Sequence, residues 1–268
     1  MGLFDKIFRL KEKSQWEFLK IYLSVSQDRP SSIQREKLVN TLLKTFETCH
    51  GETPKLLDIH GPYGIAKGRP VGVKRFINLL QSKGYDKFYG LTMSNKSHEA
   101  WIHFLDTAHE LDKKGWDFGY QELIIGHKIP LYSCDLLQVS ADIYNSFEFH
   151  YAYITQLPDN FDIIRESKIK KMFGMISTAD SPTDWIWAKN TNKILTGAIK
   201  DVYSTNLLNE IQGEKIREMG FEVTRINNKI FVWKVEKKKL KAIRDQLKSE
   251  LIINTAPPST RSLSCFYF

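Results

Sequence analysis

The hydrophobic pattern is clearest between Phe221 and Leu251. Two β-rich runs, Phe221–Ile226 and Lys229–Val235, flank the pair Asn227-Asn228, and asparagine tolerates the positive φ that a two-residue hairpin turn requires. The apolar positions that follow recur at helical spacing, and they are Leu240, Ile243, Leu247 and Leu251. The pattern predicts a β-hairpin followed by an amphipathic helix.

The rest of the chain mixes strand and helix patterns without a strict alternation of the two. Strands are predicted at Phe18–Val25, Phe88–Met93, Phe147–Tyr153, Trp185–Trp187 and Lys193–Val202. Helices are predicted at Ser31–Phe46, Val73–Ser82, Ser97–Leu111, Asp162–Met175 and Asn206–Met219. This order favours an α+β fold with a mainly antiparallel sheet and helices packed on it.

The domain organisation follows from the distribution of polar and irregular segments. Residues 1–253 are predicted to form a single α+β domain, and residues 254–268, with Pro257-Pro258, an irregular C-terminal tail. The polar stretch Asp180–Thr183 marks an alternative boundary near residue 180.

Hydropathy and cysteine usage indicate a cytoplasmic protein. No run approaches the ~18 consecutive apolar residues of a transmembrane helix. The short amphipathic start, residues 3–10, is expected to dock on its own domain rather than to anchor a membrane. Cys49, Cys134 and Cys265 contain no CxxC pair, which argues against a disulfide framework or a zinc finger and favours a reducing compartment.

Charge is concentrated in the C-terminal unit. The whole chain of 268 residues has a formal net charge of +8, and the segment 229–250 alone contributes +5. A basic balance of this kind is typical of binding to nucleic acid, an anionic membrane surface or an acidic protein. The alternative is a helix face that only meets solvent.

The predicted hairpin leaves two large aromatic side chains to explain. Pairing across Asn227-Asn228 places Phe231 and Trp233 on the face opposite Val223 and Val232. One apolar face suffices for a core, so Phe231 and Trp233 either meet a second layer or are displayed to a partner. The candidate partner-binding residues combine them with the adjacent basic stripe: Phe231, Trp233, Lys237, Lys241, Arg244 and Lys248.

A glycine-rich loop supplies a second candidate site. Between His60 and Pro70, Lys67 and Arg69 precede a predicted helix, where backbone amides and basic side chains could hold an anion. The spacing matches neither GxxxxGK[ST] nor GxGxxG, so a purely structural loop is the alternative. Lys67 and Arg69 are therefore the candidate anion-binding residues.

No catalytic residue, metal site or cofactor is predicted. His98 and His103 resemble a zinc-protease motif but are five residues apart, which places them about 140° apart on a helix. The sequence contains no G-x-S-x-G elbow for a nucleophile.

The layout of the chain resembles that of bacterial polymorphic-toxin immunity proteins. The resemblance rests on the opening strand and helix, Phe18–Phe46, and on the closing segment Trp185–Leu251. It implies a cytoplasmic, non-catalytic α+β protein that binds and neutralises a cognate toxin. Many inhibitors of toxic nucleases are acidic, whereas this chain is basic, and no binding residue carries over. The alternatives are a nucleic-acid-binding protein that uses the basic C-terminal unit, and an enzyme whose residues the sequence does not connect.

Overall fold

The computed structural model describes most of the chain between residues 15 and 247. The described ranges are 15–26, 32–61, 71–107, 119–159, 161–164, 167–172, 175–178, 190–226 and 229–247. Several predictions fall outside them: the amphipathic start, the strand Trp185–Trp187, the boundary at Asp180–Thr183, the turn Asn227-Asn228 and the C-terminal tail.

Nine described strands form one antiparallel sheet. In chain order they are β1 (Gln15–Ser26), β2 (Leu56–His60), β3 (Gly90–Ser94), β4 (Ala100–Asp106), β5 (Gly119–Ile129), β6 (Tyr151–Pro158), β10 (Thr205–Leu208), β11 (Thr224–Arg225) and β12 (Phe231–Lys234). Their spatial order is β11-β12-β10-β6-β1-β5-β4-β3-β2. The strands numbered between β6 and β10 form a separate three-stranded sheet: β7 (Phe161–Asp162), β8 (Ser167–Met172) and β9 (Met175–Thr178).

Three helices cover one face of the large sheet, which we call the helical face. They are α1 (Ser32–His50), α2 (Val73–Lys83) and α3 (Leu136–Ser146). Their apolar side chains, such as Phe46, Phe76 and Ile143, join inward-facing strand residues such as Leu19 and Ile102 in one buried cluster. This cluster is the larger of the two cores and holds the helices on the sheet.

A second core lies on the other side of the sheet, which we call the opposite face. Short helices cover it: the 3₁₀ helix Thr191–Thr196, α4 (Glu210–Glu218) and α5 (Leu240–Leu247), which follows the 3₁₀ helix Lys237–Lys239. Because both faces are covered, a central strand can be apolar at successive positions, as Leu123, Ile124 and Ile125 are in β5.

The predicted fold class is confirmed. The mainly antiparallel sheet, the helices packed on it and the closing hairpin and helix are all present. Among the individual elements, the strand at Phe18–Val25 corresponds to β1, and the helices at Ser31–Phe46 and Val73–Ser82 correspond to α1 and α2.

Several predicted elements are wrong in whole or in part. The helix at Ser97–Leu111 is replaced by β4, in which Ile102 and Phe104 face one core while Trp101 and His103 face the other way. The helix at Asp162–Met175 is replaced by strands β7 and β8, and the strand at Lys193–Val202 begins as a 3₁₀ helix. In β4, burial on both faces hides the period-two alternation that would have indicated a strand.

Candidate functional site

The closing hairpin pairs one residue out of the predicted register. Thr224 lies opposite Val232 and Arg225 opposite Phe231, whereas a two-residue turn at Asn227-Asn228 would place Val223 opposite Val232. A change of one residue moves side chains to the other face of the sheet. The predicted face of Phe221 is therefore wrong: it lies on the side of Trp233, with ring centroids 5.3 Å apart.

Phe231 and Trp233 are core residues on the opposite face. Their side chains are 1% and 2% exposed. The Phe231 ring lies against Gly213 of α4, and the guanidinium of Arg225 sits 4.5 Å from its centroid. Of the two interpretations, burial in a second layer is the one the structure shows, so neither ring is displayed to a partner.

Four lysines next to this core are exposed, and we call them the basic surface: Lys237, Lys238, Lys239 and Lys241. The Nζ atoms of Lys238 and Lys239 lie 2.8 and 2.9 Å from the carboxylate of Glu236. These contacts, led by Lys238, lower the pKa of Glu236. No ion pair joins Lys237 or Lys241 to any residue within the described ranges. Two cations at i, i+4 spacing are thus available to an outside anion.

Arg244 differs from these lysines because it is engaged within the fold. Its Nε donates to Oδ1 of Asp201 at 2.5 Å, and its NH2 group donates to the carbonyl oxygen of Val202 at 3.2 Å. Arg244 therefore fastens α5 to the segment preceding β10. Lys248 lies outside the described residues. Partner binding by Lys237, Lys241, Arg244 and Lys248 stays a prediction.

The glycine-rich loop can be located only by its two ends. Lys67 and Arg69 lie outside the described residues. The chain leaves the sheet after His60 and returns at Val71, which exchanges backbone hydrogen bonds of 3.0 and 2.9 Å with Leu57 of β2. Anion binding by Lys67 and Arg69 stays a prediction.

A row of polar side chains crosses the opposite face and was not predicted from the sequence. Thr92 of β3 lies between two histidines, with Oγ1 3.4 Å from Nε2 of His60 and 3.0 Å from Nδ1 of His103. Further along the sheet, Lys20 of β1 pairs with Glu122 of β5 at 3.2 Å. Once His103 is assigned to a strand rather than a helix, the alternation in Trp101-Ile102-His103-Phe104 places it on this face.

The electrostatics of this row favour a structural role. Burial, with smaller electrostatic effects from His60 and Lys20, lowers the pKa of His103 to about 4. A histidine with such a pKa is neutral near pH 7 and is a weak base. Within the described ranges, no three His, Cys, Asp or Glu side chains are placed to hold a metal ion.

Comparisons with known proteins leave the family of the chain open. No protein-family model matches the chain, and no curated protein matches it. Among solved structures, the chain is similar to "Pseudomonas aeruginosa T6SS protein PA0821" with a TM-score of 0.49 and 15% identity. The match covers 82% of this chain and 65% of that one, so the chain spans about two thirds of the length of that protein.

Fold and surface together define an α+β protein that presents a basic surface at its closing helix. None of the helices in the described part of the chain is long and apolar enough to cross a membrane.

Proposed function

We propose that this chain is a non-catalytic binding protein that holds an acidic protein partner on its basic surface. The observation that carries the proposal is the exposure of Lys237, Lys238, Lys239 and Lys241 on one short segment, where Lys237 and Lys241 have no ion pair with a described residue. Uncompensated surface charge of one sign steers a partner of the other sign and speeds association.

The burial of the neighbouring aromatic side chains favours a protein partner over single-stranded nucleic acid. Proteins that bind single strands stack the bases on exposed aromatic rings beside basic side chains. Here Phe231 and Trp233 are in the core, so the basic surface lacks the stacking rings that the nucleic-acid alternative assigned to them.

A rigid support under the basic surface suits a role in tight neutralisation of a partner. The Arg244–Asp201 pair and the buried Leu247 fix α5 against the opposite face. A surface fixed before binding loses less conformational entropy when a partner docks. Together with the layout-level resemblance to immunity proteins, this supports a cognate bacterial toxin as the acidic partner.

The test is affinity capture of the full chain from its native cytoplasm, with and without nuclease treatment. We expect to capture an acidic protein whose recovery is unchanged by nuclease treatment. We expect the double variant Lys237→Glu/Lys241→Glu to capture none of this protein. The matched control is Lys44→Glu/Lys96→Glu, which makes the same change of charge at two exposed positions elsewhere. Equal loss by both variants, or a catch that disappears with nuclease, would contradict the proposal.

The toxin assignment needs its own test. We expect co-expression of this chain to restore growth to cells that express a toxin encoded beside its gene, and the Lys237→Glu/Lys241→Glu variant to restore less. If the captured partner is acidic but not toxic, the proposal of an acidic protein partner is supported and the proposal of an immunity role is contradicted.

A further inference from the structure

Two buried histidines meet where the end of α1 packs against the large sheet. His50 is the last residue of α1 and is 8% exposed, and His127 of β5 is fully buried. Their rings meet edge-on with centroids 5.9 Å apart. The ring of Tyr132 lies 5.4 Å from the His50 ring and 6.5 Å from the His127 ring, and the Phe46 ring lies 4.5 Å from the His50 ring. The two imidazoles are thus packed among aromatic side chains.

Neither imidazole is held in place by hydrogen bonds. Within the described part of the chain, none of the four ring nitrogen atoms of His50 and His127 has a hydrogen-bond partner. Nε2 of His127 lies 3.5 Å from Oε2 of Glu17 in β1, which is too far for a normal hydrogen bond. A buried polar ring without a partner already destabilises a fold, and a buried charge without a counter-ion does so much more. Packing therefore holds the His50 ring only while that ring is neutral.

The acidic side chains near the pair do not compensate a proton on His50. Glu17 reaches the pair from β1, and it is placed at His127. Glu52, which follows α1, has its carboxylate 3.4 Å from the hydroxyl of Tyr132. Neither carboxylate contacts a ring nitrogen of His50. A proton on His50 would therefore place a positive charge beside His127 with no acidic group in contact.

The remaining titratable groups of this region leave that imbalance in place. Lys128 follows His127 in β5, and its Nζ atom lies 3.9 Å from the carboxylate of Glu99. The side chains of Cys49 and Cys134 belong to the same apolar cluster as the end of α1, and thiols are uncharged in acid. None of these groups can neutralise a protonated His50.

The pKa of His50 agrees with this geometry. Burial, with a smaller effect from His127, lowers the pKa of His50 from 6.5 to about 4. The ring therefore binds a proton more readily in water than in its packed position. Its contribution to the packed state is complete above pH 6.5 and is lost as the pH falls toward 4.

The chain around His50 offers few other attachments to the sheet. α1 ends at Gly51, whose φ of +69° lies in the left-handed region that favours glycine. The amide of Gly51 donates to the carbonyl oxygen of Glu47 at 2.9 Å. Among the described residues that follow, the next backbone hydrogen bond is the one from Lys55 to Ser94, at 2.8 Å. The last turn of α1 can therefore open without disturbing the pairing of the strands.

We propose that His50 and His127 form a latch at the end of α1 that is released by protons. At neutral pH the uncharged His50 ring packs against His127 and Tyr132 and holds the last turn of α1 on the sheet. In mild acid His50 takes up a proton, and the last turn, residues 47–50, unwinds and carries the ring into water. The rest of α1 stays on the helical face, because its apolar side chains do not titrate. Acidity thus regulates one local contact of the fold.

The test is hydrogen exchange of the full chain at about pH 8 and about pH 5, with rates corrected for the effect of pH on unprotected amides. We expect the open fraction of the last turn of α1 to rise about 30-fold at the lower pH, as the two pKa values of His50 require. Amides of α2 should change much less. His50→Phe keeps an aromatic ring and should remove the pH dependence of the last turn. The matched control is His98→Asn, which removes an exposed histidine at a position of positive φ and should leave the pH dependence unchanged.

Three results would overturn the proposal. One is protection of the last turn that does not depend on pH. Another is an equal loss of protection in α2, which would indicate global acid unfolding instead of a local release. The third is an unchanged pH dependence in His50→Phe. If that variant fails to fold, NMR titration of His50 in the wild-type chain decides, since a pKa near 6.5 would contradict the latch and a pKa well below it would support the latch.

Discussion

The two faces of the large sheet are both buried, yet they are built from different side chains. The helical face is a broad apolar surface, with the Arg35–Asp106 pair placed where α1 meets β4. The opposite face is aromatic beneath the closing unit but polar toward β2, with Lys20, Glu122, His103 and Thr92. Apolar packing tolerates many partners, whereas buried polar groups need specific ones. The helical face is therefore expected to accept more sequence change.

One buried ion pair lies within the otherwise apolar helical face. Arg35 pairs with Asp106, and both side chains are fully buried. Arg35 also donates to the carbonyl oxygen of Phe88 at 2.8 Å and stacks on the Phe88 ring. One buried cation thus joins α1 to β4 and to the residue that follows the 3₁₀ helix Tyr85–Lys87.

The largest effect is expected from Asp106→Asn, which removes the charge of the buried carboxylate that pairs with Arg35. Breaking such a pair from one side costs about 3–5 kcal/mol of the free energy of unfolding. Denaturant unfolding measures it. Two further variants serve as comparisons. The double variant Arg35→Met/Asp106→Leu should lower the free energy of unfolding by less than Asp106→Asn does. Glu214→Gln, which removes the exposed pairs with Arg217 and Arg225, should cost less than about 1 kcal/mol.

The second prediction concerns the pH dependence of the free energy of unfolding and uses one histidine from each face. Burial lowers the pKa of both His103 and His50 from 6.5 to about 4. The two histidines therefore bind protons more readily in the unfolded chain than in the folded chain. Their contribution to the free energy of unfolding is complete above pH 6.5 and is lost as the pH falls toward 4. For His103 the shift corresponds to roughly 3 kcal/mol. His103→Gln should flatten the stability curve between those pH values, as measured by unfolding at a series of pH values. An unchanged slope would contradict the buried neutral state.

A smaller loss is expected from Gly213→Ala, which probes the aromatic half of the opposite face. A Cβ at this position would lie within 3.0 Å of the Phe231 side chain. Overpacking of this kind costs about 1–3 kcal/mol. The matched control is Gly72→Ala, where a Cβ meets nothing within 4 Å and the change at a helix N-cap costs about 0.5 kcal/mol. Equal midpoints in denaturant for the two variants would show that Phe231 can move aside.

The smallest effect separates structural from available cations on the closing helix. Arg244→Ala removes the bonds to Asp201 and Val202 and should cost about 1 kcal/mol. Lys241→Ala should leave the free energy of unfolding unchanged while weakening binding of the acidic partner. If the Lys241 variant unfolds more easily, this lysine has a structural role as well.

The sequence predicted the helical face better than the opposite one. Amphipathic spacing identified α1 and α2, because one apolar stripe suffices to place a helix on a sheet. The central strands were harder, since β4 is buried on both faces and shows no simple alternation. The hairpin register depends on loop geometry, which two adjacent asparagines do not determine, and this is why the face of Phe221 was wrong.

The candidate sites were predictable only as far as charge allowed. Clustering of lysines identified the basic surface, but only tertiary contacts show that Arg244 is bound to Asp201 while Lys241 is not. The contacts of Thr92 with His60 and His103 join side chains on three different strands. Spacing rules that apply within one helix or one motif do not reveal them.

The position of β1 in the middle of the sheet has a consequence for synthesis. It is the first described strand, yet its two neighbours, β5 and β6, pair with it through residues such as Ile129 and Pro158. During synthesis both edges of β1 therefore stay open until β5 has emerged from the ribosome, and one edge stays open until β6 has emerged. Exposed apolar edges of this kind recruit other chains. The nascent protein is expected to depend on chaperones more than its final sheet, in which β1 is paired on both edges, would suggest.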